Sequence, residues 1–183
     1  MTLQTSRKQV PVSARRLSKL APNWSYANNI LNFGCGKFPD LTEECLTNCH
    51  KQSMTVTHFD PSSKAKGVVS NIAEIDSSKC RFCVMLCANV LNMHKDLDAA
   101  IADMAKIDFD CAVIQINEGN RSGKGRKTRD GYQRNEPVSA YLPILTSNFH
   151  KFDVTLHRSD KCITIVKGRK YYELDDLELT DAG

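Results

Sequence analysis

The run Asn29-Ile30-Leu31-Asn32-Phe33-Gly34-Cys35-Gly36-Lys37-Phe38-Pro39-Asp40 joins a strand to a helix through two glycines. Its first half is a short apolar stretch that reads as a buried strand ending at Gly34. Its second half opens a helix. Proline's fixed φ and missing N–H are tolerated in a first helical turn, and the acid after it suits the helix dipole, so a helix is expected from Pro39 to about His50. A glycine turn between strand and helix lies at the carboxyl edge of a doubly wound sheet, where a ligand approaches the backbone with no Cβ in the way. The next β-branched run, Thr55-Val56-Thr57-His58-Phe59, is closed by Asp60-Pro61. Asp60 thus stands where an acid accepts hydrogen bonds from ribose hydroxyls. Together the turn and the acid describe a nucleoside-binding crevice. A dinucleotide fingerprint starting at Gly34 fails at Pro39, and the chain contains no G-x-x-x-x-G-K-[ST].

Outward from this run, strands and helices alternate. Val68-Val69 reads as a strand stub and Arg81 to Ala88 as a central strand. Asp96 to Lys106 carries helical apolar spacing through Leu97, Ile101, Met104 and Ala105. Cys111 to Ile116 is the next strand, Val138 to Phe149 a helix despite Pro143, and Asp153–His157 with Cys162–Val166 a terminal antiparallel pair. Upstream, Ser13 to Leu20 reads as a short helix before the break at Pro22-Asn23. The fold class is α/β: a mostly parallel sheet with helices on both faces and a terminal antiparallel hairpin.

The segment from Ile30 to Gly36, with Asp60, resembles motif I of the class I S-adenosylmethionine-dependent methyltransferases, whose sheet is Rossmann-like. The resemblance implies S-adenosylmethionine as cofactor, held by Asn32, Gly34, Gly36 and Asp60. Asn32 stands where the family has an aspartate, and Phe38 where it has a third glycine. Asn32 keeps a carbonyl for an ammonium group but loses the charge attraction, and Phe38 brings bulk to the space beside the cofactor's methionine part. Val84-Met85-Leu86-Cys87-Ala88-Asn89-Val90-Leu91-Asn92 is similar to the fourth-strand motif of small bacterial and phage-type members, and Gly131-Tyr132-Gln133-Arg134-Asn135 to a segment after their fifth strand. A phage or mobile-element origin is implied by this resemblance alone, which covers about residues 10 to 167. Asn89 and Asn92, just past the fourth strand, are the candidate catalytic residues, orienting an acceptor amine or amide. The plainer reading of both is a helix cap or an Asx turn.

A chain of 183 residues with 41% hydrophobic and 25% charged residues supports one packed domain. Its expected organisation is a basic leader and helix over 1–22, a methyltransferase-like domain over 23–168 and an acidic tail over 169–183. Charge is segregated: Arg121, Lys124, Arg126, Lys127, Arg129 and Arg134 cluster in a glycine-containing segment, whereas Glu173, Asp175, Asp176, Glu178 and Asp181 lie in the tail. Lys124, Arg126, Lys127 and Arg129 suit a phosphate backbone, with Tyr132 available to stack on a base. The same segment also reads as a solubilising loop that orders only on binding. The DNA-methyltransferase signatures [DN]-P-P-[YF] and Pro-Cys are absent from the sequence.

The eight cysteines sit partly inside apolar runs and are expected to be free thiols. Neither their spacing nor that of the five histidines makes a persuasive metal site. His94, two residues past Asn92, is a candidate base, and Cys35 is a residue chosen for size. Polar, basic first residues and the lack of a long apolar stretch lead to the expectation of a cytoplasmic protein, in host cytoplasm if phage-encoded, with no membrane partner. The functional expectation is a methyltransferase acting on nucleic acid or an associated macromolecule. The rival is a noncatalytic protein that reuses the fold to bind nucleic acid or a host protein.

Overall fold

Strand β1 (Asn29–Phe33) is buried from Ile30 onward and is therefore an interior strand. In the computed structural model, which describes residues 8–49, 54–75, 81–128 and 131–168, it pairs in parallel with β2 (Thr55–Phe59) on one side and β4 (Phe82–Ala88) on the other. The two-residue strand β3 (Val68–Val69) extends this side of the sheet beyond β2, and β5 (Phe109–Gln115) pairs in parallel with β4. Two antiparallel strands, β8 (Phe152–His157) and β9 (Cys162–Lys167), complete the order β3-β2-β1-β4-β5-β9-β8. Their connection closes through Lys161 in the left-handed region at φ 52°. The edge strand β8 alternates in burial, whereas β4 and β5 are buried almost throughout, as expected of strands covered on both faces.

The two faces bury different helices. Helix α4 (Leu97–Ala105) places Ala100, Ile101 and Met104, and α5 (Leu142–Asn148) places Leu145, against Leu31, Met85, Cys87, Ala112 and Ile114. On the other face α1 (Val12–Arg15), α2 (Leu17–Leu20) and α3 (Pro39–Cys49) bring Ala14, Leu17, Leu20 and Leu46 onto Ile30, Val84, Leu86, Cys111 and Val113. Adjacent residues of one strand thus serve opposite layers, the period of a pleated strand. Asp96 caps α4, its Oδ1 accepting the N–H groups of Asp98 at 3.1 Å and Ala99 at 3.4 Å.

Three elements differ from the sequence reading. The expected helix from Ser13 to Leu20 divides at Arg16, whose φ of −115° and ψ of 12° interrupt the helical path. Val138 to Tyr141 forms a 3-10 turn, and only Leu142 begins α5; Pro143 falls in its first turn, where the missing N–H costs no intrahelical bond. The basic segment forms a hairpin, β6 (Arg126–Thr128) with β7 (Gly131–Gln133), where a loop was expected. The acidic tail over 169–183 and the first seven residues of the basic leader lie outside the described residues. Among the described residues no helix is long and apolar enough to cross a membrane.

Candidate functional site

The parallel register brings Phe33, Phe59 and Cys87 level, so the segments after β1, β2 and β4 leave the sheet at one edge. The amides of Gly34 and Cys35 both donate to the Phe59 carbonyl, at 2.7 and 3.0 Å, tying the glycine turn to β2. Gly34 and Gly36 both take φ of 71°, which an L side chain resists. A Cβ on Gly34 would also lie 2.3 Å from Val90 Cγ2, so the glycine admits the side chain that follows β4.

Asp60 is 3% exposed, and its carboxylate is held by two backbone amides: Gly36 N–H donates to Oδ2 at 2.9 Å and Ser62 N–H to Oδ1 at 2.8 Å. Each carboxylate oxygen has a second lone pair, so the group retains acceptor capacity while fixing the turn. Behind Asn32 runs a polar chain: its Nδ2 meets His58 Nδ1 at 3.2 Å, and His58 Nε2 meets Glu43 Oε2 at 2.9 Å. With its Nδ2 turned to the His58 ring, Asn32 leaves its carbonyl oxygen outside this chain of bonds.

A cavity of about 860 Å³ opens at this sheet edge, within the range of small-molecule sites. Asn32, Gly34, Cys35 and Phe38 form one wall, Phe38 contributing to the wall while the cavity beside it stays open. Asn89 and Asn92 enter from the end of β4, and Arg126, Tyr132 and Gln133 from the hairpin. Of the residues singled out in the sequence, Asn32, Gly34, Asn89, Asn92, Arg126 and Tyr132 therefore share one cavity. Gly36, Asp60, Lys124 and Lys127 are not among its lining residues, and Arg129 lies outside the described residues.

The hairpin is fastened over the sheet edge by bonds that no local pattern announces. Asn92, 1% exposed, gives its backbone carbonyl to Arg134 N–H at 2.9 Å, its Oδ1 to Asn117 N–H at 3.2 Å and its Nδ2 to Gln133 Oε1 at 3.3 Å. The Arg134 guanidinium forks onto Glu136 at 2.8 and 3.1 Å and donates to the Lys95 carbonyl at 3.0 Å. Tyr132 crosses Gly125 so closely that a Cβ there would lie 1.8 Å from its hydroxyl. Gln115, Asn117 and Asn135 also line the cavity, and sequence reasoning missed all three. Gln115 accepts Ser13 N–H at 2.7 Å and donates to Asn89 Oδ1 at 3.1 Å, linking α1 to the site across 102 residues of chain.

Titratable groups near the cavity are mostly engaged. Burial, then the Asp60 charge, pushes the Cys35 thiol up to about 12, so it stays protonated. His94 lies outside the lining, and its pKa is lowered by burial against the opposing pull of Asp103, Asp96 and Asp60. Asp160 is paired with Arg16 and, at 3.1 Å, with Lys19. Among the described residues no group of three His, Cys, Asp or Glu is placed to hold a metal ion, and the described cysteines are free thiols.

Glu118, 5% exposed, is a structural counterpart: it accepts Val138 N–H at 2.9 Å and pairs with Arg121. Burial raises its pKa, but the Val138 bond and the charges of Arg121 and Lys161 outweigh this and hold it below the usual carboxylate value. A folded-state pKa below the unfolded one contributes stability that is full above the unfolded value and lost as pH falls through the folded one. Glu118→Gln is therefore expected to cost about 2 kcal/mol at pH 7 and much less near pH 3. Thermal melts at the two pH values check this; an equal loss at both would refute the charge-assisted role.

No family model matches the chain, and no curated protein matches it. Among solved structures, the N-terminal domain of EvdMO1 in the presence of SAH and D-fucose superposes with a TM-score of 0.54 at 16% identity, over 90% of this chain and 85% of that one. The same domain with SAH bound gives a TM-score of 0.52 at 16% identity, over 87% and 80% of the two chains. With its strand order and terminal antiparallel pair, the chain has the Rossmann-like fold of the class I methyltransferases.

Proposed function

We propose that this chain is an S-adenosylmethionine-dependent methyltransferase of phage or mobile-element type, acting in the cytoplasm on nucleic acid or a macromolecule bound to it. The observation that carries this reading is the shared cavity: the glycine turn after β1 forms one wall, and the basic hairpin another. The residues fit the cofactor's chemistry. Asn32 offers a carbonyl to an ammonium group, Gly34 and Gly36 offer backbone free of side chains, and Asp60 keeps lone pairs for ribose hydroxyls. Asn89 and Asn92 are the acceptor-facing pair. The cofactor supplies a methyl group already activated by a sulfonium; the protein supplies proximity and alignment.

Outside the cavity, Lys124 and Lys127 are exposed and extend the charge of Arg126 along the hairpin. A basic hairpin of this kind suits a polyanion longer than the cavity itself.

Calorimetric titration with S-adenosylmethionine and S-adenosylhomocysteine is expected to give micromolar binding. A single-stranded oligonucleotide is expected to bind with a salt slope that falls by about 0.7 per phosphate contact removed when Lys124, Arg126 and Lys127 are neutralised. Absence of cofactor binding, with oligonucleotide binding intact, would instead support the noncatalytic reading. That reading draws on the neutral Asn32 and on the two amides already held by Asp60.

A further inference from the structure

Two polar residues sit on a largely apolar face of the sheet. Asn32 of β1 and His58 of β2 are partners in the parallel register, so their side chains project to the same side. Two residues before them in each strand stand Ile30 and Val56, which pack in the α1–α2–α3 layer with Val84, Leu86 and Leu46. Asn32 is 3% exposed and His58 7%. Apolar residues would fill these places without the desolvation cost that a carboxamide and an imidazole carry. Their polarity therefore calls for a use.

The bonds between them have a direction. Glu43 reaches in from α3, and a carboxylate oxygen can only accept. The hydrogen in the 2.9 Å contact between His58 Nε2 and Glu43 Oε2 therefore belongs to Nε2. At the other side of the ring, Nδ1 lies 3.2 Å from Asn32 Nδ2, which can only donate. One form of the ring satisfies both contacts, with hydrogen on Nε2 and a bare Nδ1. Asn32 Oδ1 is left over: it takes part in no hydrogen bond among the described residues and is not sealed in, and Asn32 lines the cavity. A free carbonyl oxygen on a cavity wall suits a ligand N–H, above all a charged one. Turning the carboxamide over would set an oxygen against the bare Nδ1, two acceptors face to face.

We propose that His58, fixed by Glu43, is a positioning residue for the cationic end of the ligand: it holds the Asn32 carboxamide with its oxygen toward the cavity, where that oxygen accepts from the ammonium group of the cofactor's methionine part. This rests on the cofactor reading above. The three side chains stand in for a single carboxylate at position 32. Half-exposed Glu43 carries the charge, the His58 ring passes on its polarity, and Asn32 brings an acceptor to the wall. Each hydrogen bond in such a chain polarises the next, so this carbonyl is a better acceptor than that of an isolated carboxamide. No proton is transferred and no covalent bond changes; the effect is on binding and orientation.

The first test reads the ring directly, on the full chain without ligand. Long-range proton–nitrogen correlation spectra at about pH 7.5, with His58 assigned by its loss in His58→Asn, are expected to show hydrogen on Nε2 and none on Nδ1. Hydrogen on Nδ1, alone or together with Nε2, would overturn the proposal. The second test is calorimetric, with S-adenosylhomocysteine and with methylthioadenosine, which keeps the thioether and the nucleoside but has no amino-acid end. His58→Leu is expected to weaken S-adenosylhomocysteine about tenfold and to leave methylthioadenosine within about twofold of wild type. His58→Asn, whose Oδ1 replaces Nδ1 as acceptor for Asn32, is expected to recover part of that loss. Glu43→Gln keeps an acceptor oxygen for Nε2–H and drops the charge, so a loss of about two- to threefold is expected. Equal losses for the two ligands in His58→Leu, or no loss for either, would overturn the proposal and leave His58 a packing role. The ring form is read on wild-type protein, so it decides even where His58→Leu fails to fold. Wild-type protein that binds neither ligand would refute the cofactor reading, while the spectra would still decide whether Asn32 is held with its oxygen outward.

Discussion

Asp60→Ala is expected to lower the melting temperature by about 6–12 °C, from a loss of about 3 kcal/mol, before any effect on ligand binding is considered. The side chain is buried, and two backbone N–H groups depend on it, those of Gly36 and Ser62. Removing the acceptor strands donors that water reaches poorly, the costly side of hydrogen-bond energetics. Asp60→Asn retains one acceptor oxygen and turns its amide toward the other donor, so about half the loss is expected. Cofactor affinity, measured well below the variant's melting temperature, is expected to fall with the turn's geometry. A melting temperature unchanged in Asp60→Ala would show that the turn is held by the Phe59 carbonyl alone.

Gly34→Ala is expected to cost a similar amount by a different route. The left-handed φ of 71° penalises any Cβ by about 1–2 kcal/mol, and the contact at 2.3 Å with Val90 Cγ2 adds an overpacking cost of about 1–3 kcal/mol. The two terms separate in a double mutant. Val90→Ala removes the contact at 2.3 Å, leaving its own Cβ at 3.3 Å and the backbone cost, so the pair Gly34→Ala, Val90→Ala is expected to be less destabilised than the sum of its parts by about 1–2 kcal/mol. Denaturant unfolding of the four proteins checks this. Strict additivity would mean that Val90 moves aside freely and that the glycine answers only to φ.

The architecture was legible because parallel strands buried on both faces announce themselves as apolar runs: β4 is apolar throughout, β5 is so from Cys111 to Ile114, and β1 is interrupted within its buried part only by Asn32. The glycine turn was legible because its φ values demand glycine. The hairpin β6–β7 was not, because Arg126, Lys127 and Thr128 alternate only among polar side chains and carry no apolar period. Its position depends on distant bonds such as Arg134 N–H to the Asn92 carbonyl. Gln115, Asn117 and Asn135 escaped for a related reason: carboxamides are common, and only contacts across the fold assemble them around one space. The direction of the Asp60 carboxylate, back onto Gly36, belongs to the turn's three-dimensional path and has no signature in spacing.

The pleat that serves two layers also places buried thiols in both. Cys87 lies in the α4–α5 layer, and Cys111 and Cys162 in the α1–α2–α3 layer. Burial pushes the first two up to about 12 and Cys162 to about 11, so none reacts until its surroundings part. Each side of the sheet thus carries its own chemical clock: pulse alkylation read by mass spectrometry times the opening of the two helical layers separately, within one unlabelled molecule.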